Sequence, residues 1–245
     1  MIYITPAALE SILRIERLDI TNFRGIRSIS MTDLGHIIII AGQNGSGKSC
    51  IFDAIRLLKS VYGGYQANEW QQWMGEFQIV LSNRASDYKT ILNDANKELK
   101  ISCEFKLAED ERAFISANIH ELLKEYVWRL ELPEAYSWGG YKMALFAAQF
   151  RDREAAVGQR AFALYPEFLR EITAPTIRGE VTIPTGGVPQ ITQSIALALI
   201  FSTFRPNEIG VLDYHGAQRH YGRESVQGIN LNLYANEQQR SQTAL

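Results

Sequence analysis

The sequence predicts an α/β fold, and three adjacent features between residues 37 and 61 carry that prediction. Four consecutive isoleucines, Ile37 to Ile40, are typical of a short strand buried on both faces, as in parallel sheets. The next segment, GQNGSGKS, runs from Gly42 to Ser49 and matches the pattern G-x-x-x-x-G-K-[ST]. Apolar residues then recur at helical spacing from Ile51 to Val61. A strand, a glycine loop and a helix in this order form the context that a phosphate-binding loop requires.

The residue types in the loop suit a nucleotide phosphate. Gly42, Gly45 and Gly47 allow a tight backbone turn whose N–H groups approach phosphate oxygens without a Cβ in the way. The helix that follows directs its free N–H groups and its positive dipole end at the same anion. Lys48 can neutralise the β- and γ-phosphates, and the Ser49 hydroxyl can ligate Mg²⁺. The sequence therefore predicts a site for ATP and Mg²⁺, the alternative being a glycine turn that happens to precede a helix.

Composition limits the classes of protein to consider. The chain has 245 residues, 46% of them hydrophobic and 21% charged, which is ordinary for a globular domain. A formal net charge of −2 provides no global attraction to nucleic acid, so any such contact must be a local patch. Two cysteines, Cys50 and Cys103, argue against a disulfide scaffold and suit a reducing cytoplasm. No apolar run approaches the ~20 residues of a membrane span, and no signal peptide is evident.

The segment before the loop predicts an antiparallel pair of strands. Apolar residues mark Ile12 to Ile20, and Ile29 and Met31 alternate with serines. Between them lies Asn22-Phe23-Arg24-Gly25. The order L-x-I-x-N-F-R-G-I, a short strand, GQNGSGKS and a helix that begins with I-F-D-A-I resembles the N-terminal part of one superfamily of ATPases. That superfamily includes the structural-maintenance-of-chromosomes (SMC) proteins, RecF and the overcoming-lysogenization-defect (OLD) nucleases.

This resemblance covers about residues 12–60 and implies an ABC-type head, that is, a P-loop NTPase lobe with an added antiparallel β-layer. It places Arg24 beside the nucleotide and makes Asp53-Ala54-Ile55 the usual continuation of the helix. The alternative for Arg24 is a solvated hairpin arginine. The nucleotide contacts that the motif and the resemblance imply are Arg24, Gly42, Gln43, Asn44, Gly45, Ser46, Gly47, Lys48, Ser49 and Cys50.

Beyond residue 61 the pattern predicts further elements of one lobe that spans 1–245. Strict alternation from Ile101 to Leu107, with two later runs, predicts a β-meander over 99–132 whose acidic turn lies at 109–111. Trp70, Trp73 and Phe77 suit a small amphipathic helix, although aromatics among polar residues can also stack on bases. A helical segment is expected over 141–172, with mixed charges outside, and a turn or hairpin over 175–189.

The last predicted unit, 195–224, comprises a core helix, a strand at Ile209–Tyr214 and a polar loop. In ABC-type ATPases a glutamine at the end of a strand reaches the Mg²⁺ and the attacking water, and by this resemblance Gln218 is a candidate catalytic and metal-binding residue beside Lys48. The alternative is an ordinary loop glutamine. Arg219, His220 and Arg223 make the same loop locally basic, which suits phosphate or DNA.

Two elements that complete an ABC-type head do not occur in the sequence. These are the signature loop of the L-S-x-G-x kind and an apolar strand that ends in Asp-Glu; Val211-Leu212-Asp213 is the nearest match but Tyr214 follows. We therefore expect a C-terminal lobe outside these 245 residues. The resemblance then implies heads paired across ATP, in a homodimer or higher oligomer, that act on DNA in repair or antiviral defence with a possible nuclease or effector partner. The rivals are a scaffold that binds ATP without turnover and, less favoured, a small-molecule kinase.

Overall fold

The computed structural model describes residues 13–35, 37–64, 75, 85–136 and 145–202. The chain divides into two units, Met1–Val211 and Leu212–Leu245, and every described residue belongs to the first. Predictions for residues 65–74, 76–84, 137–144 and 203–245 lie outside the described residues; they include Trp70, Trp73, Phe77, the strand at 209–214, Gln218, Arg219, His220 and Arg223.

A five-stranded antiparallel sheet is the framework of the described part of the chain. Its spatial order is β2-β1-β3-β4-β5. The strands are β1 (Arg14–Phe23), β2 (Ile26–Met31), β3 (Leu99–Lys106), β4 (Ile177–Ile183) and β5 (Gln190–Ile191). The mixed α/β class and the antiparallel layer that the sequence predicts are both confirmed.

Alternation along the three central strands gives the sheet one apolar and one polar face. The buried side carries Leu18, Ile20, Leu99, Ile101, Cys103, Phe105, Ile177, Val181 and Ile183. The other side carries ion pairs between neighbouring side chains: Arg17 with Asp19 at 2.7 Å, and Glu180 with both Lys100 and Arg178 at 2.8 Å. The ion pair with Arg17 holds the pKa of Asp19 below its usual value.

Helices pack against the apolar face and around it. They are α1 (Lys48–Tyr62), a 3₁₀ helix at Ala85–Ile91, α2 (Glu109–Ala117), α3 (Ile119–Glu131), α4 (Pro133–Tyr136), α5 (Ala147–Thr173) and α6 (Ile195–Ser202). On α1 the buried stripe includes Ile51, Ala54, Leu57 and Leu58, as the 3.6-residue period requires. None of the helices described is long and apolar enough to cross a membrane.

The predicted β-meander over 99–132 is wrong after its first strand. Residues 109–131 form α2 and α3 instead. The acidic cluster taken for a turn is the first turn of α2, where carboxylates face the positive end of the helix dipole. Glu111 also accepts a hydrogen bond from the Ala108 N–H at 2.9 Å. Buried Leu122, Leu123 and Val127 then follow a helical stripe on α3.

The predicted buried strand at Ile37–Ile40 is also wrong. These residues have no regular secondary structure, and the exposed fraction is 75% for Ile37 and 87% for Ile39. A strand exists only when a neighbour supplies its hydrogen bonds. No strand of the described sheet pairs with this segment, so Ile37, Ile38 and Ile39 stay exposed, while Ile40 is half-buried against the core.

Elsewhere the elements follow the patterns in the sequence. Helical spacing predicts a helix from Met143 to Ile172, and α5 occupies Ala147–Thr173. The region predicted as a turn or hairpin, 175–189, contains the whole of β4 and then a tight turn, with Gly186 at φ 69°, that leads to β5. The apolar run that begins at Ile195 is α6, which is buried along most of its length.

Candidate nucleotide-binding site

The loop before α1 has the backbone conformation that its glycines make possible. Gly45 and Gly47 have φ of 82° and 86°, in the left-handed region that side chains with a Cβ rarely adopt. A Cβ on Gly42 would lie 2.9 Å from Ser46 Oγ, which is too close for both atoms to stay in place. The Ser46 N–H donates to the Gln43 carbonyl at 3.2 Å and closes the turn. The loop therefore forms a cradle in which the backbone of Gly45 and Gly47 favours glycine and a side chain on Gly42 would displace Ser46 Oγ.

The Lys48 ammonium lies across this cradle. Its Nζ donates to the carbonyl oxygens of Gly42 and Gln43, each at 2.7 Å. Gly47 is the N-cap of α1, and the first turn of the helix contains no acidic residue, so the positive end of its dipole is not compensated there. A nucleotide phosphate can replace the two carbonyls as the partner of Lys48. The cradle, the ammonium and the helix end thus fit an anion.

The fit to Mg²⁺ rests on one side chain. Ser49 is exposed in the first turn of α1, where its hydroxyl can ligate a cation that also binds phosphate oxygens. Cys50 is half-buried in the same turn. Among the described residues no group of three or more His, Cys, Asp and Glu side chains could hold a metal by itself. A cation here would depend on the bound phosphates, as Mg²⁺ usually does.

Asn22 fastens the turn between β1 and β2 to the segment before β3. Its Nδ2 donates to the carbonyls of Asp94 and Lys97 at 2.9 and 2.8 Å, and its Oδ1 accepts from the Asp94 N–H at 2.7 Å. Asn22 is buried and has a φ of 58°, which asparagine tolerates better than most residues. Asn22 therefore fixes the turn between β1 and β2 to residues 94–97 through hydrogen bonds.

The next two residues continue this anchorage. Phe23 is completely buried and forms an isolated antiparallel bridge with Leu92. The Arg24 N–H donates to the Ile91 carbonyl at 2.8 Å, and Asn93 Nδ2 donates to the Arg24 carbonyl at 2.6 Å. Arg24 also has a positive φ, 48°. The backbone of the turn is thus held from both sides.

This turn lies directly against the phosphate loop. A Cβ built on Gly25 would be 3.7 Å from Cys50 Sγ and 3.9 Å from Gly47 Cα, and one built on Gly47 would be 3.7 Å from Ile26 Cγ1. Arg24 Nη1 donates to the carboxylate of Asp53, which lies in the second turn of α1 and is 6% exposed. The structure therefore brings Arg24 to α1 beside the loop, while its contact with a nucleotide stays a prediction.

Sequence reasoning assigned no role to Asn22 beyond the motif and none to Asp53 beyond the usual continuation of the helix. Asn22 contacts residues 94–97 and Asp53 contacts Arg24. Because these partners are distant along the chain, no local sequence pattern predicts the contacts. An asparagine before a turn is the one available signal for the contacts of Asn22, because asparagine favours positive φ. The predicted contribution of Gln218 lies outside the described residues.

The other end of α1 is held by contacts of a different kind. The Tyr62 hydroxyl donates to the Thr192 carbonyl at 2.5 Å and accepts from the Glu180 N–H at 2.9 Å. Burial raises the pKa of Tyr62 above its usual value. A Cβ on Gly63 would be 2.8 Å from the Ser202 nitrogen and 2.9 Å from the Phe201 carbonyl carbon. The C-terminal end of α1 thus contacts β4, the residue that follows β5, and α6.

Comparison with known proteins agrees with this geometry. The family model of the AAA ATPase domain matches residues 14–158, a stretch that contains β1, the phosphate loop, α1 and β3. The uncharacterized protein MJECL10 of Methanocaldococcus jannaschii is 30% identical over 142 residues, which cover 51% of this chain and 57% of that protein. The chain thus spans a little over half the length of this relative, and no solved structure matches. With a match over more than half of its length, the chain belongs to the family of AAA ATPase domains.

Proposed function

We propose that this chain is the nucleotide-binding lobe of an SMC-, RecF- or OLD-like ATPase, which hydrolyses ATP when a second lobe and a second head complete the site. The observation that carries the proposal is the cradle of Gly42, Gly45 and Gly47 with Lys48 across it. The adjoining N-F-R-G turn supports the finer assignment, since it packs on that cradle.

Each residue has a distinct task in this proposal. The N–H groups from Gly42 to Cys50 bind the phosphates, and Lys48 neutralises the β- and γ-phosphates. Ser49 holds Mg²⁺, which supplies charge neutralisation between the phosphate oxygens. Arg24 adds positive charge beside the loop, and Gln218 orients the attacking water. The protein thus contributes position and charge, on which phosphoryl transfer chiefly depends.

Two observations favour an incomplete site. The sequence contains neither a signature loop nor a strand that ends in Asp-Glu. Ile37 and Ile39, directly before the loop, are exposed to 75% and 87%. Apolar residues at such a position suit a neighbouring strand that would pair with and cover them. We propose that the second lobe, on the same natural chain or on a separate polypeptide, supplies this strand and the missing catalytic groups.

The setting proposed for this ATPase is work on DNA, in repair or in defence against phage. The support is the resemblance to RecF and OLD proteins over residues 12–60. Heads paired across ATP, as a homodimer or higher oligomer, would drive or gate the action, and a nuclease or effector subunit would carry it out.

A scaffold that uses ATP only to lock an assembly is the main rival. It would bind ATP through the same loop yet release no phosphate in its complete form. A small-molecule kinase is less favoured, because the N-F-R-G turn and the antiparallel layer have no place in that class. Turnover by the complete assembly separates the first rival from the proposal, and phosphoryl transfer by a lone monomer would support the second.

The test measures phosphate release and light-scattering mass for the 245-residue chain, with ATP and with ADP, before and after addition of the C-terminal lobe. The chain alone should bind ATP and hydrolyse it near the background rate, since most of the charge stabilisation is missing. Addition of the second lobe should bring pairing and turnover together with ATP but not with ADP, because both heads would share the γ-phosphate.

Two results would contradict the proposal. Brisk hydrolysis by a monomer of this chain would show that the site is complete and favour the kinase-like rival. Pairing of completed heads without phosphate release would favour the scaffold.

A further inference from the structure

We infer that Asp53 is a positioning residue of the nucleotide site, which holds Arg24 and the turn Arg24–Gly25 in place against the phosphate loop. The inference rests on the proposed function, because it assigns Asp53 a part in nucleotide binding. It adds a residue that neither the motif nor the resemblance assigns to the site.

The position of Asp53 is the first step. Asp53 lies on α1 five residues after Lys48, with 6% of its surface exposed, and its carboxylate accepts a hydrogen bond from Arg24 Nη1. A carboxylate this buried requires compensation by charge and hydrogen bonds. The Arg24 guanidinium provides a positive charge and an N–H donor together. The pair therefore joins the helix that carries the loop to the turn between β1 and β2.

The second step is the rigidity of that turn on its other side. The Arg24 N–H and carbonyl are bound by Ile91 and Asn93, and Asn22 is clamped to residues 94–97. Hydrogen bonds to residues 91–97 thus hold the turn on the side away from α1. Through Arg24 and Asp53, α1 is held at a set distance from a rigid support.

The third step is contact between this support and the loop. Gly25 lies against Gly47 and Cys50, and Ile26 lies against Gly47. Gly47 has the left-handed φ of 86° and is the N-cap of α1, so its conformation sets how the loop enters the helix. A shift of the turn would therefore remove the support behind Gly47 and loosen the donors that bind phosphate. In this way Asp53 acts on the nucleotide without touching it.

Whether neutralisation of Asp53 tightens or weakens ATP binding distinguishes a positioning role from simple charge repulsion. A carboxylate near an anion site repels the anion, so its neutralisation alone should tighten ATP binding, most at low ionic strength. If Asp53 instead holds the support in place, its neutralisation should weaken binding. Asp53→Asn keeps the size of the side chain and removes the charge, so it distinguishes the two.

The experiment is calorimetric titration of the full 245-residue chain with ATP·Mg²⁺ and with ADP·Mg²⁺. Asp53→Asn and Arg24→Ala should each weaken ATP affinity on the order of 10-fold, in the range seen when an outer partner of a binding group is removed. The double variant should be no weaker than the worse single variant, because the two residues act as a unit.

Glu171→Gln is the matched control for loss of a structural carboxylate. Glu171 accepts from Ser194 Oγ at 2.9 Å and from the Ala196 N–H at 2.8 Å, and so anchors the start of α6 away from the loop. Its substitution should lower the melting temperature and leave ATP affinity unchanged. If Asp53→Asn does not fold, Arg24→Lys serves instead, since it keeps the charge beside Asp53 and loses the planar fork.

The outcomes separate the inference from the proposed function. Parental affinity in Asp53→Asn or Arg24→Lys, tighter binding in Asp53→Asn, or losses that multiply in the double variant would overturn the inference. These results would leave the proposed function standing as long as the parent binds ATP and Lys48→Ala weakens it. Absence of ATP binding in the folded parent would overturn the proposed function itself.

Discussion

The two ends of α1 differ in how they are held, and the difference indicates how the helix serves the loop. At the N-terminal end the loop is exposed, and the Lys48 ammonium binds carbonyls of its own loop. At the C-terminal end Tyr62 forms hydrogen bonds with β4 and with Thr192, and Gly63 packs closely against the backbone of α6. One end is available to a ligand, and the other is committed to the fold.

This asymmetry suits a binding loop on a rigid support. Four apolar side chains along α1, Ile51, Ala54, Leu57 and Leu58, are buried together with its C-terminal end. Arrival of phosphate can therefore rearrange Lys48 and the loop while the helix itself stays in place. Substitutions at the two ends should separate accordingly, with the first end controlling affinity and the second controlling stability.

Lys48→Ala should have the largest effect and should act on affinity alone. Loss of a charge-assisted contact to phosphate costs about 1.5–3 kcal/mol, or roughly 10- to 150-fold in ATP affinity. The melting temperature should hardly change, since Lys48 binds only its own exposed loop among the contacts described. Calorimetric titration of the folded variant measures this.

The matched control for that experiment is Lys124→Ala, which removes a lysine that pairs with Glu154 at 2.5 Å on the surface of α3. Its ATP affinity should equal that of the parent. Unchanged affinity in Lys48→Ala, or an equal loss in both variants, would refute the assignment of the loop.

Gly63→Ala should act at the other end and on stability alone. The new Cβ would lie within 3.0 Å of backbone atoms of Phe201 and Ser202, which cannot move as easily as a side chain. Overpacking of this kind typically costs about 1–3 kcal/mol of unfolding free energy. Urea denaturation should show that loss, with ATP affinity per folded molecule near that of the parent.

Gly158→Ala provides the comparison within the same chain. Gly158 lies inside α5, and a Cβ there would meet nothing within 4 Å. The substitution should raise stability by about 0.5–1 kcal/mol through helix propensity. A loss at Gly158 as large as that at Gly63 would mean that packing against α6 is not the cause.

Tyr62→Phe should have the smallest effect at neutral pH. It removes one hydroxyl and leaves the Glu180 N–H and the Thr192 carbonyl without that partner, at a cost of about 1–2 kcal/mol. The deficit should shrink above pH ~10. The pKa of Tyr62 is raised by burial, so its contribution is complete below the unfolded value of 10.0 and is lost as pH rises through the folded value.

The measurement is the difference between the urea midpoints of parent and variant from pH 7 upward. Other groups titrate equally in both proteins and cancel in the difference. A deficit that stays constant or grows above pH 10 would show that Tyr62 does not titrate as a buried hydroxyl.

Structural features that depend on neighbouring residues in the sequence could be predicted, and features that depend on contacts between distant residues could not. The glycine loop was predictable because glycine readily adopts the positive φ that the turn requires, as at Gly45 and Gly47. The alternation of Ile101, Cys103 and Phe105 likewise predicts a strand with one buried face, and β3 is that strand. The hairpin of β1 and β2 was predictable for the same reason.

The predictions from sequence failed where the structure depends on contacts with distant parts of the chain. Short runs in 113–131 fit both periods, and the dipole preference of the acids at 109–111 decided for helix. Ile37–Ile40 has the composition of a buried strand but no neighbouring strand among the described residues. Asn22 and Asp53 act through residues 94–97 and Arg24, contacts that only the tertiary structure creates.

The pairing of β1 with β3 has a consequence for how the chain folds. Thr21 pairs with Lys100, so the phosphate loop, Arg24 and Asp53 all lie in the chain segment enclosed by that pairing. Closure of a segment of roughly 80 residues costs about 4 kcal/mol of chain entropy beyond a constant term, before the strand contacts compensate for it. Formation of the central sheet is therefore expected to be the slow, non-local event in folding, and the hydrogen bonds that hold Arg24 to Ile91 and Asn93 close nearly the same long segment. ATP would then act chiefly by slowing unfolding, since the site that binds it does not exist until the sheet has closed.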